Sequence, residues 1–175
     1  MFSDPEKIIS KCGIQAGMEI ADFGAGSGVY SLAAARALIS TGRVYAVDVH
    51  KDLLLKLKNQ AARGGIYNLE VIQGDVETIG GTRLAESSVD LVLLCNILFQ
   101  LENKTEAIKE IKRILKSQGR VLVVDWTDSF GNMGPHPEAV VKKESALELF
   151  ERAGFHLDRE VIAGSHHYGM IFKKL

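Results

Sequence analysis

Five short runs of mostly apolar side chains recur along the chain: MEIADF from Met18, RVYAVDV from Arg43, LEVIQGD from Leu69, VDLVLLC from Val89 and RVLVVDW from Arg120. Their apolar character is nearly continuous rather than alternating, which predicts strands covered on both faces, as in a parallel sheet. The stretches between them change period. VYSLAAARALIS after the first run predicts a helix over 29–40, and KDLLLKLKNQAARGG sets Leu53, Leu54, Leu57 and Ala61 on one face before stopping at Gly64 and Gly65. NKTEAIKEIKRILKSQG aligns Ile108, Ile111, Ile114 and Leu115, with Asn103 or Thr105 as cap and Gly119 as the expected stop. Such alternation of strand and helix marks βαβ units.

Beyond Trp126 the pattern breaks. TDSFGNMGPHPEAVV holds Gly131, Gly134, Pro135 and Pro137 and predicts a long irregular loop. A helix over KKESALELFERAG follows. FHLDREVI and HHYGMIFKK are then separated only by AGS, a spacing that allows an antiparallel hairpin but no crossover helix. The last strand is therefore expected to run against the rest.

Length adds a bound: 175 residues with 46% hydrophobic content suit one domain spanning 1–175, with residues 1–16 as a short N-terminal cap. Charge nearly cancels, with 21 Lys plus Arg against 22 Asp plus Glu, so no nucleic-acid partner is expected. The longest greasy stretch, LVLLCNILFQL, carries Asn96 and Gln100 and falls short of the ~20 apolar residues that span a bilayer. No membrane association is expected. Without a signal peptide or lipidation motif at its start, and with Cys12 and Cys95 far apart, the chain is expected in the cytoplasm with reduced thiols.

The chemistry concentrates in ADFGAGSGVY, residues 21–30. A glycine-rich turn that leaves the first strand and opens a helix lets main chain approach a ligand closely. The dinucleotide spacing G-x-G-x-x-G, counted from Gly24 and Gly26, asks for glycine where Val29 stands, and Gly28 comes one residue early. The loop also lacks Lys and Arg, while strand ends carry Asp22, Asp48, Asp75 and Asp125. An electronegative crevice mouth suits a cation better than a pyrophosphate. The alternative for each carboxylate is capping of a helix or turn.

These residues resemble the class I S-adenosylmethionine-dependent methyltransferases, whose first motif, acid-x-G-x-G-x-G, matches DFGAGSG from Asp22 to Gly28. The resemblance runs from about Gly17 to Lys173. It implies an α/β Rossmann-like three-layer sandwich with a seven-stranded, mostly parallel sheet in order 3-2-1-4-5-7-6, strand seven antiparallel. It also implies S-adenosylmethionine as cofactor. Asp22, Gly24, Ala25, Gly26 and Gly28 would wrap its methionine part, and Asp48, with Val49 beside it, would bond the ribose. Asp75 with Val76 would frame the adenine. Cys95 and Asn96, after the fourth strand, fall near the methionyl end and the acceptor; Cys95 reads more readily as a small buried hydrophobe than as a nucleophile. Tyr30 is expected either to close over the methionyl chain or to pack within its helix. Segments such as EIKRILKSQGRVLVVDW and GPHP are similar to small relatives of the ubiquinone and menaquinone biosynthesis C-methyltransferases. Those enzymes usually carry a longer N-terminal cap, whereas here PEKIISKC alone precedes the first strand.

A small-molecule methyl acceptor follows as the expected partner. A thiolate or arsenite-like acceptor needs no base, while a phenol or carbon acid does; His167 or Asp128 is the candidate base in that case. Trp126 and His136 flank the same loop, and His50 lies close to the expected adenine position. His156 and His166 have no assigned task, and five scattered histidines with no ligand spacing predict no metal. The scant cap motivates a second reading, a cofactor-binding module that acts only with a partner. It also leaves room for a homo-oligomer to complete the pocket. An RNA or protein methyltransferase ranks third, without a basic stripe or an N-P-P-Y-type motif, and a dinucleotide oxidoreductase last.

Overall fold

In the computed structural model, which describes residues 3–39 and 41–175, the apolar runs form one sheet. They become β1 (Glu19–Phe23), β2 (Arg43–Asp48), β3 (Leu69–Gln73), β4 (Val89–Cys95) and β5 (Leu115–Trp126). The C-terminal pair forms β6 (Phe155–Ile162) and β7 (His167–Lys174). The order is β3-β2-β1-β4-β5-β7-β6, and β7 runs antiparallel to both neighbours, as expected from the resemblance. Because β1 lies between β2 and β4, the direction of the crossovers reverses there. In doubly wound sheets a crevice opens at the carboxyl ends of such strands.

Helices α1 (Pro5–Ser10), α2 (Val29–Ala37), α3 (Lys51–Arg63), α4 (Lys104–Ile114) and α5 (Lys143–Arg152) cover the two faces. Alternation along β4 sorts them. Leu91 and Leu93 pack in one layer with Ile8, Ile9, Tyr30 and Ala33 to Ala35 of the first two helices. Val92 and Leu94 face the other way, toward Ile108, Ile111 and Ile114 of α4 and Ala146 and Phe150 of α5. Short alanine side chains let α2 lie close to the sheet. On the opposite face Phe150 stacks on Phe172 with ring centroids 4.7 Å apart and meets Phe155 edge-on at 5.5 Å. Such aromatic pairs add ~0.5–1.5 kcal/mol each beyond their buried area.

Two boundaries differ from expectation. Helix α4 ends at Ile114 rather than at Gly119, because Leu115 already pairs with Val89 as the first residue of β5. The carbonyls of Arg113 and Ile114 are capped by the N–H groups of Ser87 and Ser88, at 2.9 and 2.8 Å. Gly119 sits in the irregular stretch before β5 resumes its pairing at Arg120, where a Cβ would meet the Lys116 carbonyl at 2.8 Å. Helix α2 ends at Ala37, and the expected last residue, Ser40, lies outside the described residues. The long loop is irregular as predicted apart from a 3-10 turn at Pro137–Ala139.

The stretch between β3 and β4 is held by one buried acid that the sequence did not single out. Glu110 of α4 is fully buried; its Oε1 accepts from Thr82 Oγ1 at 2.6 Å and its Oε2 from the Gly80 N–H at 2.8 Å. The Arg113 guanidinium donates to both oxygens, at 2.7 Å each, and also to the Leu84 carbonyl. Burial alone would raise this carboxyl, but the Arg113, Thr82 and Gly80 donors outweigh it and hold it down at about 2. Truncation leaves the partly exposed Arg113 guanidinium and the buried Thr82 hydroxyl without their acceptor, so Glu110→Ala is expected to lower stability by about 1.5–3 kcal/mol in denaturant titrations. The stability conferred by Glu110 is present above the ordinary carboxyl range and is lost as pH falls toward 2. The deficit of Glu110→Ala against wild type should therefore shrink on acidification below pH ~4.

Candidate functional site

The turn after β1 is built from main chain. The Val47 carbonyl at the end of β2 accepts from both the Gly24 and Ala25 N–H groups, at 2.8 and 3.0 Å, and the Gly28 N–H closes onto the Ala25 carbonyl at 2.8 Å. Asp48 Oδ2 accepts from the Gly26 N–H at 2.9 Å and so pins the turn from the other side. A Cβ on Gly24 would strike Ile97 at 1.8 Å and one on Gly28 would strike Leu57 at 2.2 Å, so these two glycines permit close packing of neighbouring segments. Gly26 differs. At φ 54 its missing side chain points into open space, the nearest atom being the Gly24 carbonyl oxygen at 3.9 Å.

That open space belongs to a cleft of about 380 Å³ at the carboxyl ends of β1, β2 and β4, within the size range of small-molecule sites. The expected residues Gly24, Ala25, Gly26, Tyr30, Asp48, Val49, Asp75, Val76, Cys95 and Asn96 all line it. Asp22 and Gly28, expected as direct contacts, do not; Gly28 turns toward Leu57. Asp22 is buried beneath the turn, where its Oδ2 accepts from Ser31 Oγ at 2.6 Å and so ties β1 to α2. Burial, partly offset by that bond and reinforced by the nearby Asp48 charge, pushes its carboxyl up to about 6. Asp125 also leaves the expected mouth. It is buried, accepting from the main-chain N–H groups of Trp126 at 2.8 Å and Phe99 at 3.3 Å, and burial raises it to about 6.

The negative lining of the cleft is thus Asp48, Asp75 and Glu77, with no Lys or Arg among the described lining residues. Asp48 is kept ionised. Desolvation works against the charge, but the His50 and Gly26 N–H groups and the His50 ring hold the carboxyl below its ordinary value. His50 Nδ1 lies 2.8 Å from Asp48 Oδ1, and the ring borders the cleft while remaining largely exposed. Asp75 combines both readings made of it: it lines the cleft, and it caps its own turn, accepting from the Glu77 N–H at 2.9 Å and Thr78 Oγ1 at 2.8 Å.

Cys95 and Asn96 close the far wall. Burial raises the Cys95 thiol well above its ordinary value, so it is an uncharged apolar surface. Asn96 sits at φ 57, and its Oδ1 is buried without a partner. A buried acceptor with nothing bonded to it, beside a main-chain cradle and under a negative rim, fits a ligand bearing an ammonium group. Burial keeps the Tyr30 hydroxyl protonated, so it too offers a neutral surface. His167 and Asp128 do not line the cleft: Asp128 pairs with His166 at 3.1 Å, and His167 packs against Trp126. His136 is exposed on the loop. The lining residues Leu53, Ile97, Gln100 and Leu101 escaped sequence reading. Ile97 carries a retrospective signal, since it fills the space that Gly24 leaves. Among the described residues no group of three or more His, Cys, Asp or Glu is placed to hold a metal, and no helix is long and apolar enough to cross a membrane.

A family model described as a methyltransferase domain matches residues 14–172. The ubiquinone/menaquinone biosynthesis C-methyltransferase UbiE of Hahella chejuensis is 28% identical over 120 residues, covering 68% of this chain and 47% of that protein. The UbiE protein of Klebsiella pneumoniae is 26% identical over 168 residues, 87% of this chain and 65% of its own length. The chain therefore spans about half to two thirds of these relatives. A crystal structure of a SAM-dependent methyltransferase from Aquifex aeolicus superposes with a TM-score of 0.89 at 26% identity, covering 99% of this chain and 91% of that one.

Gly26→Ala should separate fold from binding. The added methyl meets no protein atom closer than 3.9 Å, so the fold is retained with a left-handed backbone strain of about 1–2 kcal/mol. The methyl nevertheless projects into the cleft, and calorimetry should show S-adenosylmethionine affinity reduced at least tenfold. For Asp22 the pH sign is set by its raised carboxyl. Its contribution is favourable below pH ~4 and lost as pH rises to about 6, so Asp22→Asn should gain stability over wild type on the order of 2 kcal/mol between pH 4 and pH 7 in thermal melts.

Proposed function

The chain belongs to the methyltransferase domain family, and from that membership we propose that it transfers a methyl group from S-adenosylmethionine to a small-molecule acceptor in the cleft between β1, β2 and β4. One observation carries this reading: an open main-chain cradle at Gly26 that shares a hydrogen bond with a buried, ionised Asp48, beside lining that contains no Lys or Arg among the described residues. A pyrophosphate would meet only negative charge there. A sulfonium with an ammonium tail meets complementary charge. The names of the curated relatives, C-methyltransferases of quinone biosynthesis, support a small organic acceptor.

In this reading the turn at Gly24 to Gly26 holds the methionyl chain and Asn96 Oδ1 accepts from its ammonium. Asp48 accepts from the ribose hydroxyls with the lone pairs that Gly26 and His50 leave free. Asp75 and Val76 flank the adenine, and Val49 covers it from the exposed side. When bound, the cofactor supplies an electrophilic methyl on a sulfonium that departs as a neutral thioether. The chain consequently needs no acid for the leaving group, and its main task is to hold two reactants in line with water excluded. Cys95 and Tyr30, both buried and uncharged, provide the dry wall for that alignment.

Calorimetry with purified protein tests the reading. Wild type should bind S-adenosylmethionine and not NAD. Asp48→Ala removes charge-assisted hydrogen bonds of ~1.5–3 kcal/mol and should weaken binding by roughly tenfold or more. Uptake of NAD in preference to S-adenosylmethionine, or unchanged affinity in Asp48→Ala, would refute it.

A further inference from the structure

Among the described residues, Asn96 Oδ1 and both ring nitrogens of His167 are buried without a hydrogen-bond partner, while the buried Tyr30 hydroxyl has only Ser3 near it. Folded proteins satisfy nearly all such atoms, so each exception calls for a chemical reason. These are not scattered. Tyr30 opens α2, Asn96 follows β4, and His167 opens β7 directly opposite Trp126, the last residue of β5. Strand alternation puts Tyr30 and His167 on one side of the sheet as well. Val124 and Ile171 share a face with Trp126 and His167 respectively, and both pack in the layer that contains Tyr30 and Cys95. Tyr30 and Asn96 line the cleft; His167 does not, but it pairs with Trp126 at the carboxyl end of β5, its ring centroid 4.2 Å from that of the indole.

The segment 127–136 covers the Trp126 indole. The main chain of Gly134 rests on the indole, where a Cβ would come within 2.8 Å of the ring, and Phe130 and Met133 form a half-exposed tip. Bonds that hold the segment include the Thr127 N–H to the His166 carbonyl at 2.8 Å, Ser129 Oγ to the Pro135 carbonyl at 2.7 Å, the paired main-chain bonds between Phe130 and Met133, and Asp128 with His166 at 3.1 Å. Phe130 stacks on the His166 ring.

We propose that His167 is the catalytic base for the methyl acceptor, which binds between Trp126 and Tyr30 beneath the 127–136 segment and reacts through a group that carries an acidic proton. The proposal rests on the methyl-transfer reading above. In the step it describes, an electron pair on the acceptor forms the new bond to the methyl carbon. The carbon–sulfur bond breaks with its pair going to sulfur, and the acceptor proton passes to an imidazole nitrogen and on to water. The titratable groups acting on His167 are His166 and Asp128; burial first and His166 second lower its proton affinity, and Asp128 opposes them. The ring is thus uncharged and able to accept at neutral pH. Asp128, the other candidate base, is engaged with His166 and exposed.

The test uses the full chain loaded with S-adenosylhomocysteine and phenol as a minimal aromatic proton donor. Ring resonances of His167 should report an uncharged imidazole at pH 7 and should shift on phenol addition more than those of His50, His136 or His156. His167→Phe keeps the ring against Trp126 and removes the nitrogens. It should weaken phenol binding at least tenfold and leave S-adenosylhomocysteine affinity within twofold. Because it removes unsatisfied buried atoms, it should also raise the melting temperature by about 2–4 °C. A structural histidine would show the opposite, a lower melting temperature. Phenol that fails to bind or leaves His167 unshifted, or a His167→Phe chain that melts lower or binds phenol as wild type does, overturns the proposal. Failure to bind S-adenosylhomocysteine at all instead overturns the methyl-transfer reading on which it stands.

Discussion

The site depends on one constraint: the turn after β1 is pinned to the end of β2. Two N–H groups on the Val47 carbonyl and one on Asp48 Oδ2 use up the inward-facing polarity of residues 24–26 and leave an open face toward the cleft. The open face is main chain, whose position is set by sheet pairing and not by rotamer choice. The Asp48 carboxylate serves both ends of this arrangement. It holds the loop through Gly26 and, with His50, borders the cleft. Pre-organisation of this kind reduces the ordering that binding must impose.

Beneath the turn, polar groups are matched closely. Asp22 with Ser31, Asp125 with two main-chain donors, and Glu110 with Arg113, Thr82 and Gly80 each bury a carboxyl that finds partners inside the protein. Elsewhere, Asn96 and His167 bury polar atoms that find none. The contrast separates the scaffold from the part of the molecule that waits for something else. Stability is highest where polarity is closed, and chemistry is possible where it is left open.

Much of this was legible in the sequence, for physical reasons that differ by element. The strands were readable because burial on both faces demands near-continuous apolar runs, and the antiparallel β7 because AGS is too short for a crossover. The glycine turn announced itself through spacing. Helix α4 was misjudged at its end because Gly119 looks like a helix stop, whereas the capping groups come from Ser87 and Ser88, distant in sequence. Asp22 and Asp125 were read as rim charges because sequence tells where a strand ends but not which way its last side chain turns. Glu110 gave no signal, since its partners Gly80 and Thr82 meet it only after the β3–β4 stretch folds back on α4.

The placement of β7 between β5 and β6 has a bearing on synthesis. Strands β1 to β5 can pair as they leave the ribosome, but the outer edge of β5 meets its partner only once residues 167–174 have emerged. Until then Val121 to Val124 present an open, strongly apolar ladder edge, the kind of surface that draws in other nascent chains. The late hairpin therefore acts as a closing seam, and until it forms the β5 edge stays open to pairing with another strand.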